Sequence, residues 1–332
     1  MDQYDALLIV SFGGPEGMDD VFPFLENVLR GRNVPPERMR AVATHYEMFG
    51  GVSPINDQNR KLIAALKQEL AEHGPNLPIY WGNRNWHPLL SDTLKEMTRD
   101  GVQRALAFVT SAYNSYSSCR QYLENIEAAR ELAGSNAPQV EKLRAFYNHP
   151  LFIEANAANV AEALMTVPKT RRPFAQIVFT AHSIPQTMAD HCDYAAQLKE
   201  GARLVAERVP HCRWQLVYQS RSGAPAQPWL GPDVLECLKE LKDDGVTDVL
   251  LAPIGFVSDH MEIIYDLDTE AHQLCEELGL NMVRASTVGT DPAFVKMIRE
   301  LILERVEGVE PRFLGTRGPA HAVCPPGSCL QS

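Results

Sequence analysis

The chain has 332 residues, 45% hydrophobic and 22% charged, which is ordinary for a globular protein and excludes a disordered tail or a collagen-like repeat. Lys and Arg number 31 against 42 Asp and Glu, a net charge of −11. With no basic excess to neutralise phosphates, the chain is a poor nucleic-acid binder, and an anionic ligand must be met by a local basic cluster.

The start, Met1-Asp2-Gln3-Tyr4-Asp5, is acidic and runs straight into an apolar strand. A secretory signal would begin basic and carry a longer apolar core, so the expectation is a cytoplasmic protein. No apolar run of about 18 residues predicts a membrane-spanning helix. Taken in chain order, the pattern predicts a strand at Ala6–Phe12, a helix at Asn56–Glu72, and strands at Pro78–Gly82 and Arg104–Thr110. Helices at Cys119–Leu132 and His149–Met165 follow, then a strand at Ala175–Ala181 and a helix at Tyr194–Val209. The last predicted elements are a strand at Trp214–Tyr218, a helix at Val234–Asp244, strands at Asp248–Pro253 and Asn281–Arg284, and a helix at Pro292–Val306. Strands this far apart cannot form hairpins. Strand, helix, parallel strand is the natural connection, giving an α/β sheet covered on both faces.

The chain echoes itself. Asp100-Gly101-Val102 and Asp244-Gly245-Val246 each precede a strand that leads into a polar loop. Leu8 to Pro15 and Ile177 to Pro185 are each an apolar strand, a short loop and a proline. Two pairs in the same order suggest two similar α/β halves; the alternative is chance likeness between βα units. The expected division is 1–165, 166–307 and a tail 308–332, with Pro168 to Pro173 as a linker.

Ligands of open α/β sheets bind beyond the carboxyl ends of the strands. His182 stands at such an end and could act as a base or a metal ligand. Taken alone, it reads sooner as a hydrogen-bonded loop residue than as either. Glu262, Asp266 and Glu270 follow a later strand at i, i+4, i+8. That spacing makes a row of carboxylates on one helix face, held straighter if the helix contains a π-turn. Like charges so placed repel, and favourable helix-dipole contacts account for Asp259 and Glu262 but not for Asp266 or Glu270. Carboxylate oxygens suit a path for a hard cation or for protons. A basic cluster, Arg30, Arg32, Arg38 and Arg40, stands out in an acidic chain. It reads as an anion contact or as a solvated helix end.

Seven cysteines, an odd number spread over a long chain, argue against a disulfide framework. Cys324 and Cys329 lie close together in a Pro/Gly-rich tail, where they read as metal ligands sooner than as a disulfide.

The segment Phe179-Thr180-Ala181-His182-Ser183-Ile184-Pro185 resembles the ferrochelatase signature. Other motifs of that family follow in order: Gly13-Gly14-Pro15-Glu16, Gly50-Gly51-Val52-Ser53-Pro54, Gly82-Asn83-Arg84 with His87-Pro88, Tyr218-Gln219-Ser220-Arg221 with Pro228-Trp229-Leu230-Gly231-Pro232, and Gly255 to Glu262. The resemblance spans residues 6 to about 306. It implies two Rossmann-like halves, each a doubly wound parallel sheet, around a chelatase cleft. It implies a lyase-class enzyme of haem biosynthesis that inserts Fe²⁺ into a porphyrin. His182 would be the catalytic base or metal donor, with Glu262 its partner across the cleft and Asp266 and Glu270 extending the route. Asp259 and His260 would support the helix start.

Phe12, Tyr113 and Trp229 would be porphyrin walls, and Arg30, Arg32, His45 and Ser53 would meet propionates. Phe12 departs from the tyrosine of some Gram-positive ferrochelatases, so no side-chain oxygen can ligate the metal there. Likeness to actinobacterial members favours coproporphyrin III over protoporphyrin IX. Porphyrin and Fe²⁺ are the implied partners; contact with a membrane or with pathway partners would be peripheral. Several members carry a two-iron, two-sulfur cluster, for which Cys119, Cys324 and Cys329 match three ligands, leaving His321 or a core cysteine as the fourth. A non-catalytic porphyrin or haem carrier on the same fold is the competing class.

Overall fold

The computed structural model describes residues 3–31, 34–210, 213–223, 226–323 and 329. Among them, eight strands form two separate parallel sheets. The first contains β1 (Ala6–Ser11), β2 (Ile79–Asn83), β3 (Arg104–Val109) and β4 (Gln139–Lys142), in the order β2-β1-β3-β4. The second contains β5 (Gln176–His182), β6 (Trp214–Gln219), β7 (Asp248–Ala252) and β8 (Asn281–Arg284), in the order β6-β5-β7-β8. The two orders are the same, so the echo in the sequence reports equivalent strands. β1 corresponds to β5 and β3 to β7.

Parallel neighbours need crossovers, and helices supply them. They are α1 (Met18–Leu29), α2 (Pro36–Glu47), α3 (Ile55–His73), α4 (Leu90–Arg99), α5 (Gln121–Ala133), α6 (Pro150–Thr166), α7 (Gln186–Ala189), α8 (Tyr194–Ala206), α9 (Val234–Asp243), α10 (Met261–Ile264), α11 (His272–Leu278) and α12 (Pro292–Val306). Two π-helical turns, Tyr116–Arg120 and Asp266–Ala271, lie beyond the equivalent strands β3 and β7. The repeated Asp-Gly-Val triplets end equivalent helices. Gly101 and Gly245 both take φ +80, and the amides of Val102 and Val246 reach back to the carbonyls of Met97 and Leu241 at 3.0 and 2.9 Å. Glycine is the residue that enters this left-handed region without a Cβ penalty.

All residues of β1 and β7 are buried, because helices cover both faces of the central strands. Leu7, Ile9, Leu106 and Phe108 face a core that continues through Phe152 to Ile177, Phe179 and Leu250 of the other half. Ala6, Leu8 and Val10 face Leu94, Met97 and Ile126 on the outside of the first sheet.

The helices α4, α7, α10 and α11 were not among the elements predicted in chain order, and further features add to the predicted pattern. The edge strand β4, Gln-Val-Glu-Lys, has no apolar run to announce it. Helices α1 and α2 sit between β1 and β2 as an addition to the βα repeat. With Phe12, Trp86, Met261 and Tyr265 they form a separate apolar cluster at the strand ends. Finally, α12 packs on α3 as well as on α6. Phe294 meets the Phe108 ring at 6.3 Å, and Arg299 donates to the carbonyls of His73 and Gly74 at the end of α3, both at 2.6 Å. Arg144 and Glu304 form a buried two-point ion pair at 2.7 and 2.8 Å that ties α12 to the segment after β4.

Candidate active site

The carboxyl ends of β5, β6 and β7 meet at one place. His182 is the last residue of β5, and its Nε2 lies 3.2 Å from Glu262 Oε1. The other oxygen of Glu262 lies 3.1 Å from His260 Nε2. One carboxylate is thus held between two imidazoles. The Nδ1 of His182 bonds the Ser183 carbonyl, which makes Nδ1 the protonated nitrogen. A hydrogen bond from Nε2 to Glu262 then requires a second proton on the ring, so the resting pair holds a proton between its members. Burial disfavours both charges, yet the facing charge and hydrogen bond win. They hold His182 above the ordinary histidine range and Glu262 well below the carboxylate range, with His260 helping at the latter. The side chains keep 33% and 39% of their surface open, enough for a ligand to reach them. The Tyr194 hydroxyl donates to the His182 carbonyl at 3.0 Å and fixes the strand end.

Beyond α10 the helix loosens into its π-turn. The Glu270 amide bonds the Tyr265 carbonyl at 2.9 Å, five residues back, and the Thr269 hydroxyl bonds the Ile264 carbonyl at 2.8 Å. Asp266 lies under Ser220, whose hydroxyl donates to Oδ2, with the Gln219 amide nitrogen 3.5 Å away. Gln219 also donates to the Glu262 carbonyl at 2.6 Å. Ser220 has φ +61, a sparsely populated conformation for a non-glycine residue, worth about 1 kcal/mol or more of strain. That conformation aims its hydroxyl at Asp266. Burial pushes Asp266 up to about 7, with the charges of Glu262 and Glu270 acting in the same direction against Ser220 and His182. Glu270 is exposed; partial burial raises its carboxyl pKa, with the charge of Asp233 acting in the same direction and a hydrogen bond with Tyr265 acting against them. The row leads from His182 to the surface.

A family model described as Ferrochelatase matches residues 4–306. The chain belongs to the ferrochelatase family. It is 57% identical to a ferrochelatase of Rhodopirellula baltica, over 98% of this chain and 93% of that one. It is 53% identical to a coproporphyrin III ferrochelatase of Streptomyces coelicolor, with the same coverage of each chain. Among solved structures, SirB from Bacillus subtilis with Fe³⁺ superposes with a TM-score of 0.57 at 14% identity, covering 92% of this chain and 98% of that one. DR2241 from Deinococcus radiodurans, described as similar to chelatases, gives 0.52 at 15% identity, over 96% of this chain and 57% of that one. At these identities the likeness concerns the fold, which is the chelatase-like pair of parallel sheets.

Against the expectation of a partner across the cleft, His182 and Glu262 stand side by side, because both belong to the second half, His182 at the end of β5 and Glu262 at the start of α10 beyond β7. Trp229 is brought opposite Pro185, just past His182: residues 228–230 pair with 184–186, the Leu230 amide donating to the Ile184 carbonyl at 3.0 Å and the Gln186 amide to the Pro228 carbonyl at 2.9 Å. Phe12 is half-buried in the apolar cluster at the strand ends, 6.2 Å from Phe24, with Arg84 above its ring at 5.6 Å. Arg30 is exposed at the end of α1 and bonds Asn27. Arg32 lies outside the described residues.

Three expected ligand contacts sit elsewhere. Tyr113 is 1% exposed, packed on Tyr147 and Phe152 with its hydroxyl on the Ile254 carbonyl, so it is a core residue and not a wall. Ser53 is buried under the loop after β1, its amide on the Pro15 carbonyl at 2.9 Å. His45 stacks on Tyr265 at 3.6 Å and 9° and joins α2 to the acid-bearing segment; burial lowers its pKa. In each case the residue is packed or bonded within the protein, which spacing alone does not foretell. Gln219, Ser220 and Tyr194, which touch Glu262, Asp266 and His182, were not among the expected site residues, and His260, expected to support the helix start, contacts Glu262 directly. The Tyr218-Gln219-Ser220-Arg221 run was the signal for Gln219 and Ser220; Tyr194 had none.

The tail returns to the body. Asn148 donates to the carbonyls of Leu314 and Gly318, and Arg317 pairs with Asp193 at 3.0 Å. The Cys329 amide bonds the His191 carbonyl at 2.9 Å, just past α7. Cys119 lies in the first π-turn, whose Ser117 contacts Met188 of α7 at 3.8 Å. Both thiols are buried. His321 is exposed, and Cys324 lies outside the described residues. Among the described residues, no group of three His, Cys, Asp or Glu side chains is set to hold a metal ion, and no helix is long and apolar enough to cross a membrane.

Proposed function

We propose that this ferrochelatase inserts Fe²⁺ into coproporphyrin III to give coprohaem III, with His182 and Glu262 as the catalytic pair. The observation that carries the reading is the imidazole–carboxylate contact at the ends of β5 and α10 in a chain of this family. The reaction releases two pyrrole protons and strips water from Fe²⁺. Neutral imidazole and carboxylate oxygen both suit Fe²⁺, and either can take a proton. Because the resting pair already holds one proton, it must pass that proton on before it accepts another. Asp266, with a pKa near 7, can take and release a proton at neutral pH, and exposed Glu270 completes the route to solvent. The apolar cluster with Phe12, and Trp229 opposite Pro185 in the segment past His182, would grip and bend the ring, exposing its nitrogens at the expense of remote binding energy. Arg30 and Arg32 would meet propionates.

Coproporphyrin III rests on the names of actinobacterial relatives; protoporphyrin IX is the second reading, since the Rhodopirellula relative is named without a substrate. A carrier would have no use for a shared-proton pair leading into an acidic row. The deciding experiment is an anaerobic assay with Fe²⁺ and each porphyrin. Faster metallation of coproporphyrin III is expected, and a higher kcat/KM for protoporphyrin IX would overturn the choice.

We further propose a two-iron, two-sulfur cluster that Cys119, Cys324 and Cys329 would hold with one further ligand. Buried Cys119, in a turn that contacts α7, and buried Cys329, whose backbone is bonded just past α7, suit such a group, which when bound would supply metal–sulfur bonds between tail and body. Protein from iron-replete cells should contain iron and sulfide, and Cys119→Ser should lose both. Cys237→Ser should not, since Cys237 is buried inside α9 with its thiol pushed by burial up to about 12. Iron-free wild-type protein from anaerobic purification would overturn the cluster.

A further inference from the structure

Residues 259–270 carry Asp259, Glu262, Asp266, Asp268 and Glu270, and no Lys or Arg. So much like charge on one short segment is self-repelling, and a π-turn is itself a rare and poorly packed helical form. The compensating cation comes from a neighbouring strand. Arg284, the last residue of β8, places Nε 2.6 Å from Asp268 Oδ1 and an NH2 nitrogen 3.1 Å from Asp268 Oδ2. The same guanidinium reaches Asp259 at 3.2 and 3.4 Å and the Ala285 carbonyl at 3.3 Å. Thr287 donates to the same Asp259 carboxylate at 3.0 Å, and the Asp259 amide donates to Gln58 of α3 at 2.8 Å. Asp259 precedes the catalytic glutamate by three residues. Asp268 lies inside the π-turn, between Asp266 and Glu270. One planar fork therefore holds the segment on both sides of Glu262 and Asp266, and the carboxylates it takes are the two that stand outside the Glu262-Asp266-Glu270 row. Only a guanidinium has the donors and geometry to serve two carboxylates at once.

We propose that Arg284 is a positioning residue for iron insertion: by tying Asp259 to Asp268 it fixes the register in which Glu262, Asp266 and Glu270 follow one another from the histidine to the surface. This deepens the iron-insertion reading and rests on it. The test compares Arg284→Met, Arg284→Lys, Asp268→Asn and the Met/Asn double variant with wild type. Arg284→Met and Asp268→Asn should each lower kcat by on the order of tenfold to a hundredfold, the scale of a misplaced catalytic group, while porphyrin binding followed by fluorescence quenching stays at the wild-type level. The double variant should be no slower than Arg284→Met, because both changes remove one interaction. Lysine should restore only part of the rate.

Hydrogen exchange supplies a readout independent of turnover: the Thr269 and Glu270 amides should lose protection in Arg284→Met while those of α12 keep it. Wild-type kcat in folded Arg284→Met, full rescue by lysine, or unchanged exchange at Glu270 would each overturn the proposal. If Arg284→Met does not fold, Asp268→Asn, altered at an exposed position, carries the same measurements. A wild-type protein that fails to metallate any porphyrin would overturn the iron-insertion reading, and exchange would still decide whether Arg284 sets the turn.

Discussion

The two halves place a π-turn at the same point, beyond β3 and beyond β7, but they hold it in opposite ways. The first, Tyr116–Arg120, is closed from within: Ser115 accepts from the Ser118 amide at 3.1 Å, and the Ser118 hydroxyl accepts from the Ser115 amide at 2.9 Å. Its neighbours Asn114, Ser115 and Cys119 are buried and uncharged. The second, Asp266–Ala271, has no side-chain cap of its own and is held from outside by Ser220 and Arg284. A turn satisfied by its own hydroxyls is finished as local structure. A turn whose partners lie on other strands can keep carboxylates facing a ligand, because its cohesion does not use them up. The strand ends differ likewise: His182 ends β5 where Ser11 and then Phe12 end β1. The two sheets are equivalent frames, and the carboxylate row lies in one of them.

The contrast is broken most severely at the second half's pair. His182→Ala and Glu262→Gln should each lower kcat by about 10²- to 10⁴-fold, the usual contribution of a positioned acid–base group, with porphyrin binding retained in a quenching titration. Near-normal turnover in both would move the chemistry elsewhere. pH sharpens the comparison next. Burial pulls His182 down, but Glu262 raises it from 6.5 to about 9. A histidine raised on folding contributes stability that is present below its unfolded pKa and lost as pH rises through the folded one. Glu262, held below its ordinary 4.5 by His182 against burial, loses its share as pH falls below that value, so the stability gap between wild type and Glu262→Gln, measured by urea unfolding, should be widest between about pH 4.5 and 6.5 and close towards pH 9 and above.

A gap that widens with alkali would contradict the shared proton. At the matched glycines the halves should agree: Gly101→Ala and Gly245→Ala meet no atom within 4 Å, so each should cost only the left-handed penalty, about 1–2 kcal/mol. Clearly unequal losses would show that the two frames are not equivalent. The smallest effect belongs to the first turn's cap. Ser115→Ala should cost about 1 kcal/mol in thermal unfolding and leave kcat unchanged.

Much of this was legible because buried parallel strands read as apolar runs. β5 and β7, with the residues just beyond them, led to His182 and Glu262, and the i, i+4, i+8 carboxylates announced a special segment. What stayed hidden was pairing across long sequence distance. Nothing near Asp268 indicates that Arg284 will arrive from β8, and nothing near His45 indicates Tyr265. Tyr113 read as a wall because aromatic residues beyond a strand serve cavities and cores alike; burial, which one sequence does not record, decides between them. The strand β4 was missed for the reverse reason, since an edge strand with mixed polarity needs only backbone hydrogen bonds to its neighbour.

The position of α12 bears on how the protein is made. Phe294, Ile298, Leu301 and Ile302 fill the same core as Leu7, Ile9, Leu66 and Phe108, and Arg305 closes on Tyr4 and Glu141. A ribosome delivers the first sheet long before it delivers this helix. Until residues 292–306 emerge, the early half has an apolar groove along α3 and bare carbonyls at His73 and Gly74. The half that is synthesised first is the one that is completed last.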